Sequence, residues 1–246
     1  MLLGAYVAAN GQSLFRWRSY VLLGFSPLAL WAIWKGEPLD KFGGETVEYL
    51  FNAVCIGLVV LGQVIRALTI GHVPQRTSGR NTKLQIADTL NTTGLYSLTR
   101  NPLYLGNCIS VVGILLYPQD AYLALTAILF LTLYYGAIIM AEESFLSGQF
   151  GEQYLEWASR TNAFFPAMRR WTPPALPFSW RFTLRREHSS WYAVFMPLYL
   201  ISALQEYVAH GEFPSMTWNI ALVIMTLIYA GSIIVKKNTG WLNDFR

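Results

Sequence analysis

Apolar residues in this chain do not follow a strand-like alternation or a single helical stripe; they run together in blocks. Residues 19–34, 46–70, 102–117, 121–141, 191–208 and 213–235 are almost free of charge, the exceptions being Glu48, Arg66 and Glu206. Hydrocarbon about 30 Å thick takes roughly 20 apolar residues per helical crossing. The pattern therefore predicts an all-α polytopic membrane protein with about six transmembrane helices, folded as a single membrane domain over residues 1–246.

The polar intervals set the connectivity. Those at 35–45, 118–120 and 209–211 are short, whereas 71–101 and 142–190 are long enough to carry a site. Asn101 followed by Pro102 predicts a helix start, because Asn is a favoured N-cap and Pro has its φ preset for the first turn. The helix over 102–117 spans about 24 Å, short of the hydrocarbon thickness, so its inner end is expected to be recessed. The turn at 118–120 permits only an antiparallel hairpin, which returns Glu142 and Glu143 to the same level at a helix C-terminus. The stretch 142–157 mixes Phe145, Phe150, Tyr154, Leu155 and Trp157 with polar residues and predicts an interfacial helix or helix pair. Pro166, Pro173, Pro174 and Pro177 then enforce an irregular crossing to the last two helices.

Charge fixes the orientation. Only 13% of residues are charged against 54% hydrophobic, about half the charged share of a soluble domain. Of 18 basic residues, all but Lys35 and Lys41 fall on one side of a six-span layout. The excess of Lys and Arg on cytoplasmic loops then puts both termini and the site-bearing loops in the cytoplasm. The net charge of +4 needs no nucleic acid, since the cations flank membrane spans. Cys55 and Cys108 sit in apolar blocks and read as small buried hydrophobes, with no disulfide and no metal site. Residues 1–9 are apolar without the cationic lead of a signal peptide and are expected to lie at the interface. Glu206 is expected to snorkel at the outer end of its helix, and no polar stripe of the kind a transport path requires runs through the spans.

The candidate chemistry lies where the hairpin ends meet. A recessed helix N-terminus beside Arg100 attracts an anion, while Glu142 and Glu143, opposing their helix dipole, need a cationic partner. Together they suit a zwitterion such as an amino-acid moiety. Nearby, the loop from His72 to Lys83 offers Arg76, Arg80 and Lys83 as a cradle for a phosphate headgroup, and His72 is the one imidazole near the motif.

The run Arg100-Asn101-Pro102-Leu103-Tyr104-Leu105-Gly106, preceded by Gly94-Leu95-Tyr96, resembles the G-P-Y…R-H-P-x-Y-x-G signature of the isoprenylcysteine carboxyl methyltransferase and phospholipid methyltransferase family. Glu142-Glu143, Phe150-Gly151-Glu152-Gln153-Tyr154 and Phe164-Phe165-Pro166 resemble the segment that follows it there. The resemblance covers about 66–166 and leaves the helices at 19–34 and 191–235 outside. It implies an integral membrane methyltransferase that holds S-adenosylmethionine at the cytoplasmic face and takes a lipid-borne acceptor from the bilayer. Carried over, it gives Tyr96, Leu98, Arg100, Asn101, Pro102, Tyr104, Glu142 and Glu143 as the cofactor shell, with Arg100, Asn101 and Tyr104 nearest the reaction. Arg76, Arg80, Lys83 and Arg160 are then the candidates for the acceptor headgroup. Leu95 replaces the usual Pro and Asn101 the usual His; Asn accepts no proton at neutral pH. That favours transfer to an oxygen of a carboxylate or phosphate, as in methylation of a lipid A phosphate. The alternatives are amine N-methylation of a phospholipid, and a sterol-reductase-like enzyme using a nicotinamide dinucleotide.

Overall fold

A computed structural model describes residues 21–36, 40–77 and 87–242 of the chain. The expectation for residues 1–9, and two of the headgroup candidates, Arg80 and Lys83, lie outside the described residues. Among the described residues there are eight α-helices and no strand: α1 (Ser26–Lys35), α2 (Asp40–Gly71), α3 (Leu95–Leu98), α4 (Pro102–Leu116), α5 (Ala121–Phe150), α6 (Glu152–Arg160), α7 (Trp180–His210) and α8 (Met216–Asn238). Short 3₁₀ turns at Val21–Phe25 and Met168–Arg170 complete the set.

By length and composition, Gly43–Gly71 within α2, α5 and α8 are able to cross a membrane, and α4 is a shorter apolar helix. Every apolar block of the sequence thus contains a helix, but two boundaries differ from expectation. The block at 191–208 belongs to a helix that begins at Trp180, where Ser179 Oγ caps the Phe182 amide at 3.1 Å and no breaker intervenes. The helix carrying Glu142 does not stop at Ala141. It runs to Phe150 and ends only where Gly151 turns to φ 52°, so the two carboxylates sit two turns inside a helix and oppose no terminal dipole.

Helices α2 and α4 form the centre and cross with their backbones almost touching. A Cβ built on Gly106 would lie 2.6 Å from the Gly62 carbonyl oxygen, and one on Gly113 would lie 2.6 Å from that of Cys55. In lipid, where the surroundings are as apolar as the interface, such small-residue seams let dispersion and polar contacts hold helices together. The register, Gly62 with Gly106 and Cys55 with Gly113, makes the pair antiparallel. The turn into α5 carries Gln119 at φ 62° and is closed by Asp120 Oδ1, which accepts from the Leu123 amide at 2.7 Å. This is the tight hairpin the sequence predicts.

The 3₁₀ turn before α1, α1 itself, α4 and α5 share one apolar core around Phe25, Ala32, Val111, Leu115, Leu123 and Leu131. A second core joins α1, α2, α4 and α7 through Ile33, Cys55, Val59, Ile114, Leu198 and Ile201. Helix α8 packs on α7 through stacked Tyr192 and Tyr229 rings, 4.5 Å apart, and presents Val223, Leu227 and Ile234 outward.

The crossing after α6 is irregular, as its prolines require, and it is bonded along its length to the segment before α4. Backbone hydrogen bonds run from Gly94 to Thr172, Arg100 to Asn162 and Ala167 to Leu98, at 2.8–2.9 Å. Ser97 Oγ accepts from the Thr172 amide at 2.9 Å. This strap sets 94–101 against the ends of α5 and α6.

Candidate active site

Arg100 ties three elements together. Its Nε and Nη2 form a fork on Glu143 of α5 at 2.8 and 3.0 Å, and Nη1 donates to the carbonyls of Ala158 and Thr161, both at 2.8 Å. Those carbonyls lie at the C-terminus of α6, where helical partners run out. The guanidinium is therefore taken up by the protein's own acceptors, a different position from the open anion site expected of it. Asn101 occupies the N-cap position of α4, but its side chain makes no cap. Instead Nδ2 donates to the Ala163 carbonyl at 2.9 Å and reaches Glu143 Oε1 at 3.5 Å, because the strap offers a better-aligned acceptor than the first turn needs.

Beside this clamp opens a cavity of about 870 Å³, within the range of small-molecule and cofactor sites. Tyr96, Arg100, Asn101, Tyr104 and Glu142 all line it, so the hairpin ends do meet at one site. Leu98, Pro102 and Glu143 do not belong to its lining: Leu98 and Pro102 are packed in the interior, and Glu143 faces Arg100. Tyr96 is partly buried, packed against Ile70, Val73 and Phe182. Burial, reinforced by the negative charge of Glu142, pushes its hydroxyl well above the ordinary phenol range, with Arg186 and Arg66 pulling partly the other way. The group is thus a hydrogen-bond donor at neutral pH and not a base. On α6, Trp157 lines the same chamber with a buried Nε1–H that has no acceptor among the described residues.

The two described headgroup candidates lie elsewhere. Arg160 is exposed and pairs with Glu156 one turn back on α6, and Arg76 is exposed and paired with Asp88 at 3.0 Å. Long cationic side chains at a surface stay with water, and an i,i+4 carboxylate holds Arg160 there. His72 Nδ1 hydrogen-bonds the Leu176 carbonyl at 2.9 Å and packs on Phe178, away from the cavity lining.

In place of those residues the cavity takes a polar belt from inside the spans. Arg66 of α2 forks onto Glu187 of α7, Nε to Oε2 at 2.8 Å and Nη2 to Oε1 at 3.0 Å, and Nη1 donates to Asn107 of α4 at 2.7 Å. Glu187 is only 2% exposed. Gln63, Ser110 and Ser190 continue the belt, and Arg186 stands next to it on the cavity wall. This corrects the expectation that the spans carry no polar stripe, and it brings α7, whose part the sequence left open, into the site. The sequence signal was Arg66 six residues before His72, in an apolar block with no nearby counter-charge. A lone cation there requires a partner from another helix, though its identity was not readable. Beyond the belt the cavity turns apolar, between Ile33, Ile114, Leu200, Ile201 and Leu204. From Arg186 to Leu204 its wall on α7 extends about 27 Å.

A family model described as phospholipid methyltransferase matches residues 51–153, from within α2 to the start of α6. This segment belongs to the phospholipid methyltransferase family. It holds Arg100, Asn101, Glu142, Glu143 and the strap-bonded turn before α4, whereas the strap itself, α1 and α7 stand outside it. Among curated proteins, the methyltransferase segment's chain is 43% identical over 83 residues to the cobalt-zinc-cadmium resistance protein CzcN of Cupriavidus metallidurans, over 33% of this chain and 37% of that protein. It is 40% identical over 79 residues to the nickel-cobalt-cadmium resistance protein NccN of Alcaligenes xylosoxydans xylosoxydans, over 32% of this chain and 37% of that one. The chain thus spans little more than a third of the curated relatives it matches. No solved structure matches it. The phospholipid methyltransferase match over residues 51–153 and three helices able to cross a membrane together support a membrane protein.

Proposed function

We propose that the protein is a polytopic membrane methyltransferase that transfers a methyl group from S-adenosylmethionine to an oxygen, phosphate or carboxylate, of a lipid or lipid-anchored acceptor at the cytoplasmic face. The observation that carries this reading is the single cavity with a charged chamber at one end and a long apolar arm at the other. S-adenosylmethionine supplies an electrophilic methyl on a sulfonium beside a zwitterionic amino-acid group. The chamber fits it: Glu142 offers a carboxylate to the cationic centre, Arg186 a guanidinium to the carboxylate, and Tyr96 and Trp157 donors to its remaining acceptors.

Each residue then has a task. Arg100 and Asn101 hold the chamber's floor in register through Glu143 and the strap. Tyr104, packed with Tyr134 and Ile138, makes a dry wall beside the reacting atoms, where a charge-cancelling displacement is favoured. With Glu142 facing the cofactor's cationic centre, and Tyr96, Asn101 and Tyr104 offering no proton acceptor, the chamber suits an acceptor oxygen that is already anionic; an amine acceptor would need a further base. The apolar arm receives the acceptor's tail.

The test is incubation of the purified protein with membrane lipids and methyl-labelled S-adenosylmethionine, followed by mass spectrometry. Label on a phosphate or carboxylate oxygen supports the reading. Label on nitrogen replaces it with N-methylation, and failure to bind S-adenosylmethionine, with binding of NADPH, replaces it with a reductase.

A further inference from the structure

The belt midway along the cavity has a polar atom left over. Gln63 is 2% exposed and lines the cavity; its Nε2 donates to Ser110 Oγ at 3.1 Å, and Ser110 Oγ in turn donates to the Val59 carbonyl at 3.1 Å. With the serine's proton on that carbonyl, its oxygen accepts from Gln63, so the amide nitrogen faces Ser110 and the carbonyl oxygen faces the other way. That oxygen, Oε1, is buried without a hydrogen-bond partner among the described residues.

A buried acceptor left unmade costs about 1–3 kcal/mol, and one on a cavity wall marks the place where a bound molecule is expected to donate. The surroundings say which kind of donor. Arg66 and Glu187 neutralise each other one turn away, with Asn107 and Ser190 completing the guanidinium's bonds. The belt is thus polar but balanced, and an ammonium placed there would be a buried charge without compensation. A neutral O–H or N–H fits. Its position is set as well: Ser110 lies nine residues beyond Asn101, about 13 Å along α4, which is too deep for the atom that receives the methyl group.

We propose that Gln63 is a specificity-determining residue: its Oε1 accepts a hydrogen bond from a neutral donor, an amide N–H or a hydroxyl, on the acceptor's chain about 10 Å beyond its headgroup. The acceptor is then an amphiphile whose chain is amide-linked or hydroxylated, in preference to a plain ester, which brings acceptors only. This assignment rests on the acceptor reading of the apolar arm, but it is read out by binding and does not need turnover.

The probes are two single-chain phosphates that differ in one group: the phosphate monoester of N-palmitoyl-aminohexanol and that of O-palmitoyl-hexanediol. Binding to the full-length protein in nanodiscs is followed by tryptophan fluorescence. The intact protein is expected to bind the amide about 5- to 150-fold more tightly than the ester, and Gln63→Leu and Gln63→Met to bind the two alike, with S-adenosylmethionine affinity unchanged. Equal binding by the intact protein, or a preference that survives in both variants, overturns the proposal. The comparison on the intact protein stands even if one variant fails to fold. An amide preference without any methyl transfer would leave this site standing and remove the enzymatic reading; methyl transfer without the preference would do the reverse.

Discussion

Glu142 and Glu143 are adjacent in sequence, yet the helix separates their work. Glu143 is forked by Arg100 at the edge of the site, while Glu142 lines the cavity. Glu142→Gln is therefore expected to weaken S-adenosylmethionine about 10- to 100-fold with a smaller fall in melting temperature than Glu143→Gln, as loss of one charge-assisted bond to a ligand implies. Glu143→Gln is expected to lower the melting temperature first, because Arg100 loses its partner. Calorimetry and thermal melts on both variants separate the roles, and the reverse pattern would exchange them. Tyr96 gives a pH prediction. Its folded-state pKa is raised by burial and by Glu142, so the neutral form is the one the fold stabilises. That contribution is complete below the ordinary phenol pKa of about 10 and is lost as pH rises above it, when the unfolded tyrosine ionises more readily than the buried one. Tyr96→Phe should leave the activity profile between about pH 6 and 9 unchanged in shape and should soften the loss of stability above about pH 10, as melting at stepped pH would record.

At the scale of elements, the Arg66–Glu187 fork is the polar bond that fastens α7 to α2. Glu187→Leu strands a guanidinium in the interior and is expected to cost about 3–5 kcal/mol, whereas Arg66→Met with Glu187→Leu should recover most of that, since an apolar pair of similar volume replaces a buried ion pair at little cost. Melting of the single and double variants in one detergent decides it; equal losses would mean that the pair contributes nothing as a pair. The helices themselves were legible because uncharged length is a strong signal, and so was the hairpin, which a turn of three residues dictates. The end of α5 was not, because the stretch Glu142 to Phe150 reads equally as surface helix or as continuation, and only Gly151 stops it. Arg100 stood out in the motif, but that its fork would close on Glu143 and on the end of α6 depends on a strap more than 60 residues away. The belt was hidden for the same reason, its members coming from α2, α4 and α7.

For the whole molecule, the six spans expected from the sequence, of which three helices are long and apolar enough by themselves, imply a testable sidedness. Cysteines introduced at Gly36 and Gly211, each a left-handed C-cap at a helix end, should react with an impermeant maleimide from outside intact cells. A cysteine at Gly151 should react only after permeabilisation, in a background lacking Cys55 and Cys108. Labelling of all three from one side would overturn the six-span arrangement. The cavity also has two makers. One wall comes from residues 51–153, the portion shared with phospholipid methyltransferases, and the facing wall from α1 and α7. On the proposed reading, grafting a foreign α7 while keeping Arg66 matched to a glutamate should consequently change which lipid is bound without disturbing the methyl donor, so that the two sites are free to diverge at different speeds.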